Sequence, residues 1–176
     1  MYKLLIIFIF LAQQVTAQHT ITSTGSSIKP KDAQLILAHH NSIRNDKGVN
    51  DLTWSTSLAA YAQKWANYLA QQNNCSIKHR EHSGQNGMDY GENIFWGSSA
   101  TDYPPVEASY SWYAEKQFYK YRKINAANWF KTGHYTQMMW KDTREMGVGV
   151  AVCPNGAVIV VANYYPAGNV IGKFPY

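Results

Sequence analysis

The sequence predicts an α+β fold in which a sheet lies between two helical layers. Three observations predict it. Helical spacing of apolar residues occupies the front of the chain. A period of two takes over from Met146, where Met146, Val148, Val150 and Val152 alternate with Gly147, Gly149, Ala151 and Cys153. The partner run, Ala157 to Ala162, is continuously apolar, as a strand covered on both faces requires. Composition agrees. The chain is 45% hydrophobic, 14% aromatic and only 15% charged, which excludes disorder over most of its length. Its 176 residues fit one domain.

The elements follow in order. Residues 1–17 read as a signal peptide: Lys3, an apolar run from Leu4 to Ala12, and Val15-Thr16-Ala17 before a cleavage point at Gln18. The run is too short for a bilayer, which needs about 20 apolar residues. A secreted, extracellular protein is therefore expected. Residues 18–30, polar and rich in Ser and Thr, read as a flexible arm before a domain spanning 31–176. Pro30 and Asp32 start a helix that carries Leu35, Ile36, Ala38 and Ile43 and stops at Asn45-Asp46-Lys47-Gly48. A second helix runs from about Ser57 to Gln72. Leu58, Tyr61, Ala62, Trp65, Ala66 and Leu69 form its core face. Residues 73–91 read as a loop around a short element. Pro104-Pro105 precede a third helix from Val106 to about Tyr119, with Val106, Tyr110 and Tyr113 on one stripe. Pro154-Asn155-Gly156 turns the closing hairpin. Residues 166–176, with Pro, Gly and Asn, read as irregular.

Without Lys3 the chain carries 15 Lys and Arg against 11 Asp and Glu, a net charge of +4. Weak attraction to an anionic membrane or cell-wall surface fits this balance, and so does ordinary solubilising charge. No basic stripe interleaves with a nucleic-acid-binding module, so no nucleic acid partner is expected. Two Cys in an exported chain read as one disulfide or as two buried thiols. If Cys75 and Cys153 are joined, the closed loop contributes about 4–5 kcal/mol on the chain-entropy account.

Four residues draw chemical attention. His82 precedes Ser83-Gly84, Glu92 lies in Gly91-Glu92-Asn93, Glu115 falls on the third helix, and His134 follows Gly133. Two imidazoles and two carboxylates suit a divalent cation such as Zn²⁺, or acid–base pairs. Spacing alone selects neither. No HExxH, GxSxG or P-loop occurs.

Several segments match a known family. Gly133-His134-Tyr135-Thr136-Gln137-Met138-Met139-Trp140 resembles the GH[YF]TQ-x-x-W signature of the CAP superfamily, which comprises cysteine-rich secretory proteins, antigen-five allergens and plant pathogenesis-related proteins of the first class. Asn163-Tyr164-Tyr165-Pro166-Ala167-Gly168-Asn169 is similar to its second signature, Gly91-Glu92-Asn93-Ile94 to its GEN[IL] motif, and His82-Ser83-Gly84 to its HSG. The resemblance runs over residues 31–176 and is strongest toward plant pathogenesis-related-like members. It implies the CAP type of α-β-α sandwich. It also implies that His82, Glu92, Glu115 and His134 share an open cleft able to hold Zn²⁺ or another divalent cation, with Glu115 placed by Trp112-Tyr113-Ala114-Glu115.

The resemblance further implies that Cys75 and Cys153 form one of three bridges found in plant members. Val148 and Ala162 stand where a second bridge would be, and the third pair is absent. A Cys-rich extension does not follow, so channel block is not expected. The function expected is a secreted, monomeric binding protein for sterols, fatty acids or other small hydrophobes in defence or host interaction. No catalytic residue is assigned. The aromatic loops Phe95-Trp96-Gly97 and Tyr103-Pro104-Pro105 supply apolar contact to a ligand or pack in the core. A metal-dependent protease or esterase using the same four residues is the alternative. Residues 166–176, marked by Pro166, Gly168, Asn169, Pro175 and Tyr176, also resemble a terminal peptide that plant relatives release as a signal. Otherwise this tail packs on the sheet through Val170, Ile171 and Phe174.

Overall fold

The structure, a computed structural model, describes residues 20–176 apart from His82, Asn86 and Asn128. The predicted leader lies outside the described residues. Helix α1 spans Pro30–Asn45, with Pro at its first turn, where the missing N–H costs nothing. Strand β1 (Thr53–Trp54) leads into α2 (Thr56–Gln71). A small hairpin follows, β2 (Gly84–Gln85) and β3 (Met88–Asp89), and then β4 (Gly91–Gly97). Helix α3 (Val106–Ala114) tightens into a 3₁₀ turn at Glu115–Phe118, and a second 3₁₀ turn covers Trp129–Lys131. The chain ends with α4 (Gly133–Met138), β5 (Glu145–Val152) and β6 (Val158–Tyr165).

The main sheet has the order β1-β5-β6-β4, antiparallel except where β1 runs parallel to β5. Strand β6 is interior, and its side chains divide by parity. Val158, Val160, Ala162 and Tyr164 pack with α1, α3 and α4, while Ile159 and Val161 pack with α2. This is the expected three-layer sandwich. The glycines of β5 explain how α2 lies so close. A Cβ at Gly147 would collide with the Ala59 amide, and one at Gly149 with the Gln63 amide. Cys75 and Cys153 are bonded across 78 positions, tying the end of α2 to the β5–β6 turn. Val148 and Ala162 are direct neighbours across β5 and β6, both fully buried. Apolar packing holds this position where a crosslink is missing.

Four expectations need correction. The arm is packed over its described part: Ile21 and Ile28 are buried, and Ser26 Oγ donates to the Val148 carbonyl at 2.7 Å. Two isoleucines in a polar stretch suffice to seat it. Helix α3 ends at Ala114, and its buried stripe is Ala108, Ser109 and Trp112, with Tyr110 exposed. Leu35 of α1 is exposed and Trp65 of α2 is only half-buried, while Ile36 and Ile43 of α1 and Leu58, Tyr61, Ala62, Ala66 and Leu69 of α2 are buried as expected. Phe95-Trp96-Gly97 is edge strand rather than loop. Phe95 packs on the core and Trp96 faces outward.

Candidate functional site

A cleft of about 600 Å³ opens where α4, β4 and the tail meet. Its polar floor holds Glu92 and His134, and its rim holds Trp129, Phe130 and Ile171. Two walls build the floor differently.

On the α4 wall, Glu115 does two things at once. Its Oε2 accepts from the His134 and Tyr135 amides at 2.9 and 3.1 Å, satisfying donors at the start of α4. Its Oε1 accepts from His134 Nδ1 at 2.7 Å. A carboxylate can only accept, so Nδ1 carries a proton, and the tautomer this selects has its lone pair on Nε2. Trp112 stacks beside the imidazole with ring centres 6.2 Å apart. Beneath, Asn93 donates to the His134 carbonyl at 3.1 Å and to Tyr164 Oη at 3.3 Å. Tyr164 in turn donates to His40 Nε2 at 3.0 Å, while His40 Nδ1 donates to the Ile36 carbonyl at 2.8 Å. Burial pushes the His40 pKa down to about 3, with His39 and Arg44 adding to the effect against the Ile36 carbonyl, so the ring is neutral. At the other end of α4, buried Arg44 donates to the carbonyls of Met138, Trp140 and Thr143 at 2.8, 3.0 and 3.1 Å, and to Asn50.

The opposite wall is less complete. Glu92, with 4% of its side chain exposed, accepts from His79 Nδ1 at 2.9 Å and from the Arg80 amide at 3.1 Å, both at Oε1. Among the described residues its buried Oε2 has no partner, and neither do Arg80 Nε and Oδ1 of Asn163, the residue paired with Glu92 across β4 and β6. Arg80 lies over the Tyr61 ring at 3.8 Å and donates to the Tyr61 carbonyl. The structure thus brings Glu92 and His134 to one cleft and places Glu115 behind His134 as its orienting group. His82 lies outside the described residues. Among the described residues no three His, Cys, Asp or Glu converge tightly enough to hold an ion by themselves.

Sequence reasoning missed His79, Trp129 and Phe130. A second His three positions before His82, and two adjacent aromatics in a polar loop, were the available signals. The tail residues are placed as follows. The Gly168 amide donates to Gln137 Oε1, Asn169 bonds Gly133 and Thr136, and the Tyr176 backbone oxygen accepts from Tyr121 Oη. Pro166 is exposed, with its carbonyl held by Thr143, while Pro175 is buried and its carbonyl takes the Lys141 amide. Val170 and Ile171 do not pack on the sheet. They are exposed, and only Phe174 finds a partner, stacking on Tyr121 with ring centres 5.0 Å apart.

An α-β-α sandwich with a carboxylate-oriented histidine in an open cleft defines a CAP-type domain. The model of the cysteine-rich secretory protein family (CAP) matches residues 37–164, and the chain belongs to that family. Pathogenesis-related protein PRMS of Zea mays is 39% identical over 99% of this chain and 97% of its own. Pathogenesis-related protein 1C of Nicotiana tabacum is 43% identical over 78% of this chain and 76% of its own. Among solved structures, NaASP2 with Zn²⁺ superposes with a TM-score of 0.69 and 27% identity, covering 86% of this chain and 87% of that one. BmVAL-1 superposes with a TM-score of 0.70 at 26% identity, covering 86% and 84%. No helix among the described residues is long and apolar enough to cross a membrane.

Proposed function

We propose that the chain is a secreted, monomeric carrier of a small apolar molecule, a sterol or fatty acid, acting in plant defence or host interaction. The observation that carries this reading is the cleft's division. Its volume of about 600 Å³ falls in the range of ligand sites, with an apolar rim of Trp129, Phe130 and Ile171 and a polar end at Glu92 and His134. Such a division suits a molecule with one polar group on a hydrocarbon body. The pathogenesis-related relatives support the defence setting.

The polar end also suits a divalent cation. Among the described residues buried Glu92 Oε2 lacks a partner, and Glu115 holds His134 Nδ1, which leaves Nε2 as the ring's available donor atom, an arrangement common behind metal-ligating imidazoles. His134 and Glu92 would hold the ion, joined by His82 on the family resemblance, with Glu115 orienting. Zn²⁺ accompanies the similar NaASP2. A bound cation would anchor the ligand's polar group and act as a Lewis acid.

The described lining residues include no Ser, Thr or Cys, so the hydrolase alternative would depend on water activated at a bound cation. Release of residues 166–176 would require freeing the Tyr165 carbonyl from the Arg144 amide, and no observation favours it. The test is titration of cholesterol and palmitate, with and without a chelator, into wild type and Phe130→Ala. Saturable binding that is weakened by the variant supports the carrier. Ester or peptide turnover abolished by chelation would replace it with the hydrolase.

A further inference from the structure

The positive charge of this chain is concentrated in two segments that each contribute lining residues to the cleft. Residues 116–131 and 163–176 hold Lys116, Lys120, Arg122, Lys123, Lys131 and Lys173 and not one Asp or Glu. The remainder of the chain carries ten basic residues against eleven acidic ones, so these two segments account for the whole net charge of +5.

The same segments carry exposed apolar side chains. Phe130 and Ile171 are each 62% exposed, Tyr121 is 61% exposed and Trp129 45%. The two segments form one surface. The Ile124 amide donates to the Lys173 carbonyl, and the Gly172 amide donates to the Ile124 carbonyl, at 2.9 and 2.8 Å. Tyr121 stacks on Phe174, Lys123 Nζ lies 5.9 Å from the Phe174 ring centre, and Lys131 Nζ lies 5.6 Å from that of Phe130. Ile171, Trp129 and Phe130 meet at the cleft mouth. Large apolar groups gain nothing by standing in water, and lysines beside them supply long-range attraction to an anionic surface. Aromatic rings interleaved with lysines suit the headgroup level of a bilayer, where the rings and aliphatic tips sink in and the ammonium groups stay with the phosphates.

We propose that this rim, centred on Trp129, Phe130 and Ile171 and flanked by Lys123, Lys131 and Lys173, docks the protein on anionic lipid bilayers with the cleft mouth facing the membrane. An acidic polysaccharide would use the lysines but has no use for Ile171, which is why lipid is the favoured partner. The inference does not depend on what the cleft carries, since vesicles free of sterol are sufficient to test it.

The experiment is co-sedimentation of the protein with phosphatidylcholine vesicles, with and without phosphatidylglycerol, at low and raised salt. Binding should require the anionic lipid and weaken with salt. Replacing Lys123, Lys131 and Lys173 by Ala should lower vesicle affinity about fivefold per lysine. All three are exposed, so the fold should survive, and circular dichroism checks this. Phe130→Ala with Ile171→Ala should reduce vesicle binding at least tenfold while leaving binding to soluble polygalacturonate unchanged. Equal binding to neutral vesicles, no binding to anionic ones, or anionic binding indifferent to both sets of variants would overturn the proposal. So would polygalacturonate binding that matches vesicle binding in strength and ignores Phe130 and Ile171, which would make a wall polysaccharide the partner.

Discussion

The two walls of the cleft use the same chemical pair, a histidine bonded through Nδ1 to a glutamate, in opposite ways. Glu115 spends both oxygens, on His134 and on the amides that open α4. Glu92 spends one, on His79 and the Arg80 amide, and leaves Oε2 buried and unpartnered among the described residues. A buried polar atom without a partner costs about 1–3 kcal/mol, so a fold keeps one chiefly where something else uses it. The difference separates a wall whose polar atoms are all engaged from one that fits the ligand-receiving role proposed above. His134 belongs to both, because its backbone amide is fixed by the first and its residue lines the cleft together with Glu92.

The largest effect should come from the rigid side. Arg44 is fully buried and serves four carbonyls, one at the last residue of α4 and two just past it. Arg44→Ala leaves those oxygens without donors in a site water cannot easily fill. A loss of about 4 kcal/mol or more is expected in denaturant unfolding. Arg44→Lys should recover little, because an ammonium cannot span the fork of carbonyls. A loss below about 1 kcal/mol would remove the claim that this wall is the rigid one.

Acid should come next. Neutral His40 accepts from Tyr164, which accepts from Asn93, which donates to the His134 carbonyl. Its folded pKa, near 3, lies below the ordinary imidazole value of 6.5, so the unfolded chain binds the extra proton first. The stabilisation is complete above pH 6.5 and is lost as pH falls toward 3. At pH 4.5 the expected loss from this group is about 2–3 kcal/mol. Melting temperature measured across this window checks it. His40→Gln should flatten the profile, and an unchanged slope would assign the acid sensitivity elsewhere.

Much of this contrast was legible in the chain, and some was not. Periodicity located α1, α2 and the hairpin because each buries a continuous stripe. The same reasoning put Tyr110 inside α3 and Phe95-Trp96-Gly97 in a loop, because it weighs apolar character without knowing what each face meets. Tyr110 is exposed with the His39 ring against it, at 4.6 Å between ring centres, whereas small Ser109 is buried beneath both His39 and His40. Strand β4 is an edge whose Trp96 faces outward, so its alternation looks like scattered aromatics. Of the four site residues, the signature segments marked Glu92 and His134, which now line one cleft. No sequence pattern distinguishes a glutamate with both oxygens engaged from one with an oxygen to spare. That distinction depends on contacts 13 and 19 residues away, and on the folding of β4 against a loop the eye reads as filler.

The smallest expected effect is also the sharpest test, because it crosses the two walls. Glu115→Gln and Glu92→Gln are the same chemical change. On the α4 wall the substitution turns one accepting oxygen into a donor facing either the two amides or the imidazole. Stability should fall by about 1–2 kcal/mol, and the His134 ring should lose its fixed tautomer. On the other wall the amide can keep its oxygen toward His79 and the Arg80 amide, so stability should change by less than about 1 kcal/mol. Zinc binding, measured by calorimetry, should reverse the order. Glu115→Gln weakens it about ten- to hundredfold, as loss of an orienting group does. Glu92→Gln should weaken it more, since it removes a carboxylate placed to contact the ion. If instead Glu115→Gln proves the more damaging to zinc and the less damaging to stability, the roles assigned to the two walls are the wrong way round.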